Sequence, residues 1–197
     1  MNKENPVNPP KILSILSTHP LPDQRDRPMG NSYWVRKGQL LAGEYPGAKD
    51  GEDARRRVRA MLDGGVTFFV DLTEKHELEP YDVVLAEEAA RRGVATVHTR
   101  HPIRDASVPR RADVMTGILD AIDGAITGGH VVYVHCWGGI GRTGTVVGCH
   151  LVRHGLTGDE ALAALAEMWT TVDKHYRRPQ SPETEEQRRW IREWTES

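Results

Sequence analysis

Between Glu52 and His135 the hydrophobic period switches back and forth three times, and this alternation restricts the possible folds more than any other feature of the chain. "GEDARRRVRAMLDGG" puts Val58, Met61 and Leu62 on one helical face and ends in glycines, and "VTFFVDLT" follows as a short apolar run suited to a buried strand. The unit recurs as helical "YDVVLAEEAARRG" with strand "VATVHTR". It recurs again as "RRADVMTGILDAIDGAITGG", with Val114, Ile118, Leu119, Ile122 and Ile126 at helical spacing, before strand "HVVYVH". Three helical segments then follow in a row: "GTVVGCHLVRHG", "GDEALAALAEMW" and "SPETEEQRRWIREW". The expected class is α/β, a central, mostly parallel sheet flanked by helices, with a helical cluster at the C-terminal end.

Upstream, "NSYWVRKGQLLAGEYPG" reads as a strand pair closed by the turn at Pro46-Gly47. Residues 1–30 hold six of the twelve prolines and read as an irregular arm packed on the surface of a single domain over 31–197. A net charge of −2 gives no global attraction to nucleic acid or an anionic membrane, so any charge-driven recognition is local. No apolar run approaches the roughly 18 residues of a membrane span. The run Ile12–Leu16 is too short for a signal sequence, and two cysteines, Cys136 and Cys149, make no disulfide framework. A cytoplasmic protein with reduced thiols is expected.

The chemistry concentrates in "VHCWGGIGRTG", between the third strand and the helix after it. In sheets of this kind ligands sit beyond the carboxyl ends of strands, which is where Cys136 falls. Trp137, Gly138, Gly139, Ile140 and Gly141 form a turn that aims successive backbone N–H groups at one point, a nest for a tetrahedral anion such as phosphate. Arg142 adds a permanently charged, bidentate clamp. The same field lowers a thiol's ordinary pKa of about 8.5 and makes Cys136 a nucleophile. The Thr143 hydroxyl can donate to the sulfur as it leaves, and His135 can brace the loop from below. A lone cysteine after a strand is more often a small core residue, but cysteine, glycines, arginine and threonine at this spacing point to chemistry. The glycines lack the following Lys-Ser/Thr of a nucleotide-binding loop.

"HCWGGIGRTG" resembles the His-Cys-x5-Arg-Ser/Thr signature of the protein tyrosine phosphatase superfamily, in particular its dual-specificity-like branch. "LLAGEYPG", "VTFFVDLTE", "HPIRDASVP" and "PQSPETEEQRRWI" resemble further segments of such enzymes in the right order, over about residues 33–195. The resemblance implies a phosphatase-like fold and a cysteinyl-phosphate mechanism with no cofactor. It identifies Asp105, 31 positions before Cys136, with the general acid, on a loop reading Ile103-Arg104-Asp105 where tyrosine-specific enzymes read Trp-Pro-Asp. It also sets Glu183 and Gln187 at the positions of late glutamines that place the hydrolytic water, although Ser181-Pro182 reads equally well as a helix start. Asp71, inside a strand, is a weaker acid candidate.

No metal site is expected, because the nine histidines show no zinc-like spacing with acids or cysteines. The loop carries no lysine of the kind found in relatives acting on phosphoinositides, which favours phosphotyrosine in proteins, with phosphoserine and phosphothreonine as further substrates. A phosphoinositide or inositol phosphate phosphatase is the alternative. A catalytically weak phosphoresidue-binding module and a sulfur- or arsenate-handling loop are alternatives of other classes. Arg110, Arg111, His175, Arg177 and Arg178 are candidates for a basic rim, and Arg55, Arg56, Arg57 and Arg59 read as a solvated helix face. Cys149, about 10 Å beyond Arg142 along a helix, reads as buried packing more than as a resolving thiol.

Overall fold

The computed structural model describes residues 21–196; most of the arm expected over residues 1–30 lies outside them. Its last part docks on the sheet edge, where Gln24 receives the Trp34 N–H at 2.7 Å and donates to the Trp34 carbonyl at 2.9 Å. These bonds occupy backbone groups that an edge strand would otherwise expose.

Among the described residues five strands form one sheet: β1 (Ser32–Arg36), β2 (Leu40–Gly43), β3 (Val66–Asp71), β4 (Val97–Arg100) and β5 (Val131–His135), in the spatial order β1-β2-β5-β3-β4. Of these described strands only the β1–β2 pair is antiparallel. Its turn is at Gly38, which takes φ +71°, and Pro46-Gly47 lies beyond β2 instead of closing the pair. A short hairpin needs a left-handed residue, which glycine supplies and proline forbids. Among the described residues six helices follow the expected order: α1 (Gly51–Asp63), α2 (Asp82–Arg92), α3 (Ala112–Thr127), α4 (Gly141–Arg153), α5 (Gly158–Trp169) and α6 (Glu185–Arg192).

Strand β5 divides the core. Val132 and Val134 face the larger apolar cluster, with Ile118, Leu119 and Ile122 of α3 and Val146 and Val147 of α4. Tyr133 faces the smaller cluster, with Val58 and Met61 of α1 and Leu85 of α2. This period-2 alternation buries both faces of β5, and each fully buried aliphatic contributes about 1.5–3 kcal/mol. On α3 the buried stripe runs through Met115, Ile118, Leu119 and Ile122. Val114 is exposed, contrary to the sequence reading, since it is rotated about 100° from Met115 and falls off the stripe.

Of the α1 arginines read as a solvated face, Arg56 is exposed and the others are engaged by acids. Arg55 and Arg59 reach across to Glu88 of α2, at 3.2 and 2.9 Å, and Arg57 pairs with Asp53. Glu88 is buried beneath Arg55, Arg59, Arg91 and Arg92, which pins α1 to α2. Among the described residues no helix is long and apolar enough to cross a membrane.

Candidate active site

Central strand β5 ends at His135 and delivers Cys136 to the carboxyl edge of the sheet. His135 is fully buried, its Nε2 2.7 Å from the Tyr81 hydroxyl and its Nδ1 3.4 Å from the Cys136 carbonyl. Burial lowers its pKa to about 4, so the ring is neutral and serves as a hydrogen-bonding brace for the loop. Asp71, the weaker acid candidate, lies beside it on β3, buried and bound by Arg100 at 2.8 Å and by the Thr73 N–H at 2.8 Å. Burial opposes its charge, but His98, His135 and Thr73 outweigh that and hold its carboxyl below the usual range.

Residues 137–140 make the turn into α4, whose start has no side-chain cap. Among the described residues, no backbone N–H from Trp137 to Arg142 donates a hydrogen bond. A helix N-terminus bordered by such a run of free donors is an anion-binding surface. The turn is fixed from outside through its carbonyls. The Trp137 carbonyl accepts from the Tyr45 N–H at 3.0 Å, the Gly138 carbonyl from Lys174 Nζ at 2.9 Å, and the Ile140 carbonyl from the Ser181 hydroxyl at 2.8 Å. Gly139 takes φ +72° against the end of β2, where a Cβ would stand 2.4 Å from the Gly43 carbonyl carbon. Only glycine fits that approach.

Arg142 is almost wholly buried, and its guanidinium is gripped by Glu77 through Nη2–Oε1 at 2.6 Å and Nη1–Oε2 at 2.8 Å. Nη1 also donates to the Ile103 carbonyl at 3.1 Å, and Nη2 stands 2.9 Å from Asp105 Oδ1. Its Nε is buried without a hydrogen-bond partner among the described residues, a charged donor still available to an anion. Burial works against the charge of Arg142, but Glu77, the Cys136 sulfur and Asp105 raise its pKa further. Glu77 in turn is held below its usual value by Arg142 and the Glu74 N–H, against burial.

The loop over residues 103–111 carries Asp105 at the surface, anchored at one end by buried Ile103. Gln187 of α6 is fully buried and donates to the Ser107 carbonyl of this loop at 3.0 Å. A Cβ on Gly141 would meet the Gln187 amide at 2.8 Å and Glu183 Oε2 at 3.0 Å, so both side chains lie directly against the turn. The start of α6 differs from the sequence reading: Thr184 is its cap, in a reciprocal capping box with Gln187, and Ser181 serves the turn. The Thr143 hydroxyl is buried with no partner among the described residues. Cys136, Arg142, Asp105, Thr143, Glu183 and Gln187 thus converge on one turn.

The family model described as PTP-SAK, "Swiss Army Knife protein, DSP-PTPase phosphatase domain", matches residues 29–191. The chain belongs to that family. This phosphatase domain is 29% identical over 166 residues to a protein of Invertebrate iridescent virus 3 named "Putative tyrosine phosphatase 067L". The match covers 83% of the chain and 59% of the viral protein, so the chain spans about three fifths of that relative. Among solved structures it is similar to Tk-PTP in its active form, at 25% identity and TM-score 0.60 over 84% of this chain and 98% of that one. It also shares its fold with kinase associated phosphatase, at 19% identity and TM-score 0.62 over 83% and 91% of the two chains.

Beside the turn of this phosphatase domain lies a groove of about 630 Å³, lined by Glu44, Tyr45, Lys49, Arg57, His76 and Lys174 among others, with Trp137 at its mouth. Trp137 is 59% exposed, whereas Ile140 is partly buried against the core. Four residues that shape the site were not singled out from sequence: Glu77, Tyr81, Lys174, and Ser181 in its actual role. Glu77 stands 65 positions from Arg142 and Lys174 36 from Gly138, and no local pattern marks either. Cys149 is fully buried, and burial pushes its thiol pKa well up.

Proposed function

We propose that this phosphatase domain hydrolyses phosphomonoesters through a cysteinyl-phosphate intermediate on Cys136, with phosphotyrosine in proteins as the preferred substrate. The observation that carries the reading is the run of free N–H groups from Trp137 to Arg142, closed by the unpaired Nε of buried Arg142. Together they form a cradle for three phosphoryl oxygens next to a cysteine.

In the first step the Cys136 sulfur attacks phosphorus, the bond from phosphorus to the ester oxygen breaks, and Asp105 gives its proton to the leaving oxygen. In the second, water attacks the phosphocysteine, Asp105 takes the proton back, and the thiolate departs with the Thr143 hydroxyl as donor. Glu183 and Gln187, against the turn at Gly141, place that water. The turn amides and Arg142 hold the phosphoryl oxygens through both steps, where charge stabilisation counts most. In the present arrangement Asp105 pairs with Arg142, so substrate competes with the carboxylate for the guanidinium.

The preference for phosphotyrosine rests on the turn and the groove. Trp137, Gly138, Gly139, Ile140 and Gly141 add no cation, and in the groove Glu44 already pairs with Lys174 at 2.6 Å. Such mixed charge suits a peptide flanking one phosphate better than a multiply phosphorylated ring. Turnover of p-nitrophenyl phosphate, then relative rates on phosphotyrosine peptide, phosphothreonine peptide and inositol phosphates, test the reading. Faster turnover of an inositol phosphate than of the phosphotyrosine peptide overturns the substrate assignment.

A further inference from the structure

Helix α4 carries a second cluster of reactive side chains, at the end remote from the turn. His150 and His154 lie one helical turn apart, and Asp123 comes to them from α3. His154 Nε2 is 3.0 Å and His150 Nδ1 3.5 Å from the same oxygen, Asp123 Oδ1, and the three donor atoms lie within 4.8 Å of one another. A tetrahedral ion with bonds of about 2.0–2.1 Å sets its ligand atoms about 3.3–3.4 Å apart. Both histidine distances to Asp123 Oδ1 are thus close to the separations that such an ion imposes.

A second observation is independent of the spacing. His150 is 1% exposed, and neither ring nitrogen makes a hydrogen bond among the described residues; the contact to Asp123 Oδ1 lacks hydrogen-bond geometry. An imidazole so deeply buried is normally satisfied. A cavity of about 400 Å³ opens onto His150 and His154, between Leu151, Leu156 and Met168, with room for a fourth ligand such as water.

The local charge permits a cation. Arg153 binds Asp123 through the other oxygen, Oδ2, at 3.0 Å, and shares its charge with Asp120 and Glu196. Arg36 lines the cavity and is the opposing charge. The C-terminal end of α4 adds the partial negative charge of its last carbonyls.

We propose that Asp123, His150 and His154 bind a divalent transition cation of the zinc class, which clamps α3 to the end of α4. The site is separate from the reaction: His150 lies eight residues past Arg142, about 12 Å along the helix. The i, i+4 histidine pair is a spacing found in zinc sites that the sequence reading passed over, because its acid lies 27 positions upstream on another helix.

Zinc titration by calorimetry tests the proposal in the full chain carrying Cys136→Ser, which removes a sulfur ligand that would itself take zinc. One equivalent is expected to bind and to raise the Tm. His154→Gln, at a half-exposed position, and Asp123→Asn are each expected to weaken binding about 10-fold or more. Far-UV circular dichroism and the metal-free Tm identify a variant that has lost its fold, and His154→Gln is the one expected to keep both. Cobalt at the same site is expected to give the intense visible bands of tetrahedral coordination. Absence of binding at roughly 1 mM zinc, or equal affinity in the parent and the folded His154→Gln protein, overturns the proposal.

Discussion

At the residue scale the sulfur, the guanidinium and two carboxylates carry separable parts of the proposed reaction. Cys136→Ser is expected to lower kcat on p-nitrophenyl phosphate by about 10⁴-fold or more while phosphate still binds, since the turn and Arg142 are untouched. Asp105→Asn is expected to lower kcat about 10²- to 10⁴-fold, and to lower it less on an ester with a more acidic leaving group, a dependence that a merely structural side chain would not give. Glu77 touches no reacting atom. It holds Arg142 in a bidentate grip, and its removal leaves a buried guanidinium with one carboxylate fewer. Glu77→Gln is expected to reduce kcat/KM about 10- to 100-fold and to weaken competitive inhibition by phosphate in parallel. Retained phosphate inhibition in that variant would show that Arg142 keeps its place without the carboxylate.

At the scale of elements, the turn between β5 and α4 is held by contacts to three neighbours: the end of β2, the segment at Lys174, and the approach to α6. Gly139 is where this construction has least tolerance, because the atoms facing it are backbone and cannot rotate away. Gly139→Ala is expected to destabilise the domain by about 1–3 kcal/mol in urea denaturation and to cost activity at temperatures where the protein remains folded. Gln187 links two elements, capping α6 while holding the Ser107 carbonyl of the acid loop. Gln187→Ala loses a bond worth about 1 kcal/mol and is expected to lower kcat more than it raises KM, since it loosens the loop that carries Asp105. Equal changes in the two constants would place its effect in substrate binding instead.

At the scale of the whole molecule, stability is expected to fall in mild acid. His135 is neutral in the fold with its pKa lowered to about 4, and burial lowers His150 in the same direction. Between about pH 6.5 and 4 the unfolded chain therefore binds protons that the folded one refuses, and each such histidine contributes up to about 1.4 kcal/mol per pH unit of lost stability as pH drops. Asp71, whose pKa is lowered, adds stability present above the unfolded carboxylate value of about 3.9 and lost as pH falls further. Urea denaturation at pH 7 and pH 5 checks the histidine part: an unchanged midpoint would mean that the buried rings take up protons in place.

Legibility in the sequence followed the range of the interactions. The alternation from Glu52 to His135 gave every helix and strand of that region, because helical and strand periods are written in neighbours. The hairpin turn was misplaced because Pro46-Gly47 looks more like a turn than the single Gly38, which only the pairing of β1 with β2 singles out. Cys136 to Thr143 could be read as a site because all its parts are contiguous, and Asp105 followed from the resemblance of its loop to a family. The spatial order of the strands is another matter, since β5 inserts between β2 and β3. That insertion brings Glu77 to Arg142 and Tyr81 to His135, across 65 and 54 positions. Backbone sterics and periodicity act over a few residues, so the order of residues alone was enough for a layered α/β fold and for the contiguous glycine turn after Cys136. The tertiary structure alone decided which carboxylates grip the arginine and which acid meets the two histidines of α4, because those meetings depend on strands and helices distant in the chain becoming neighbours.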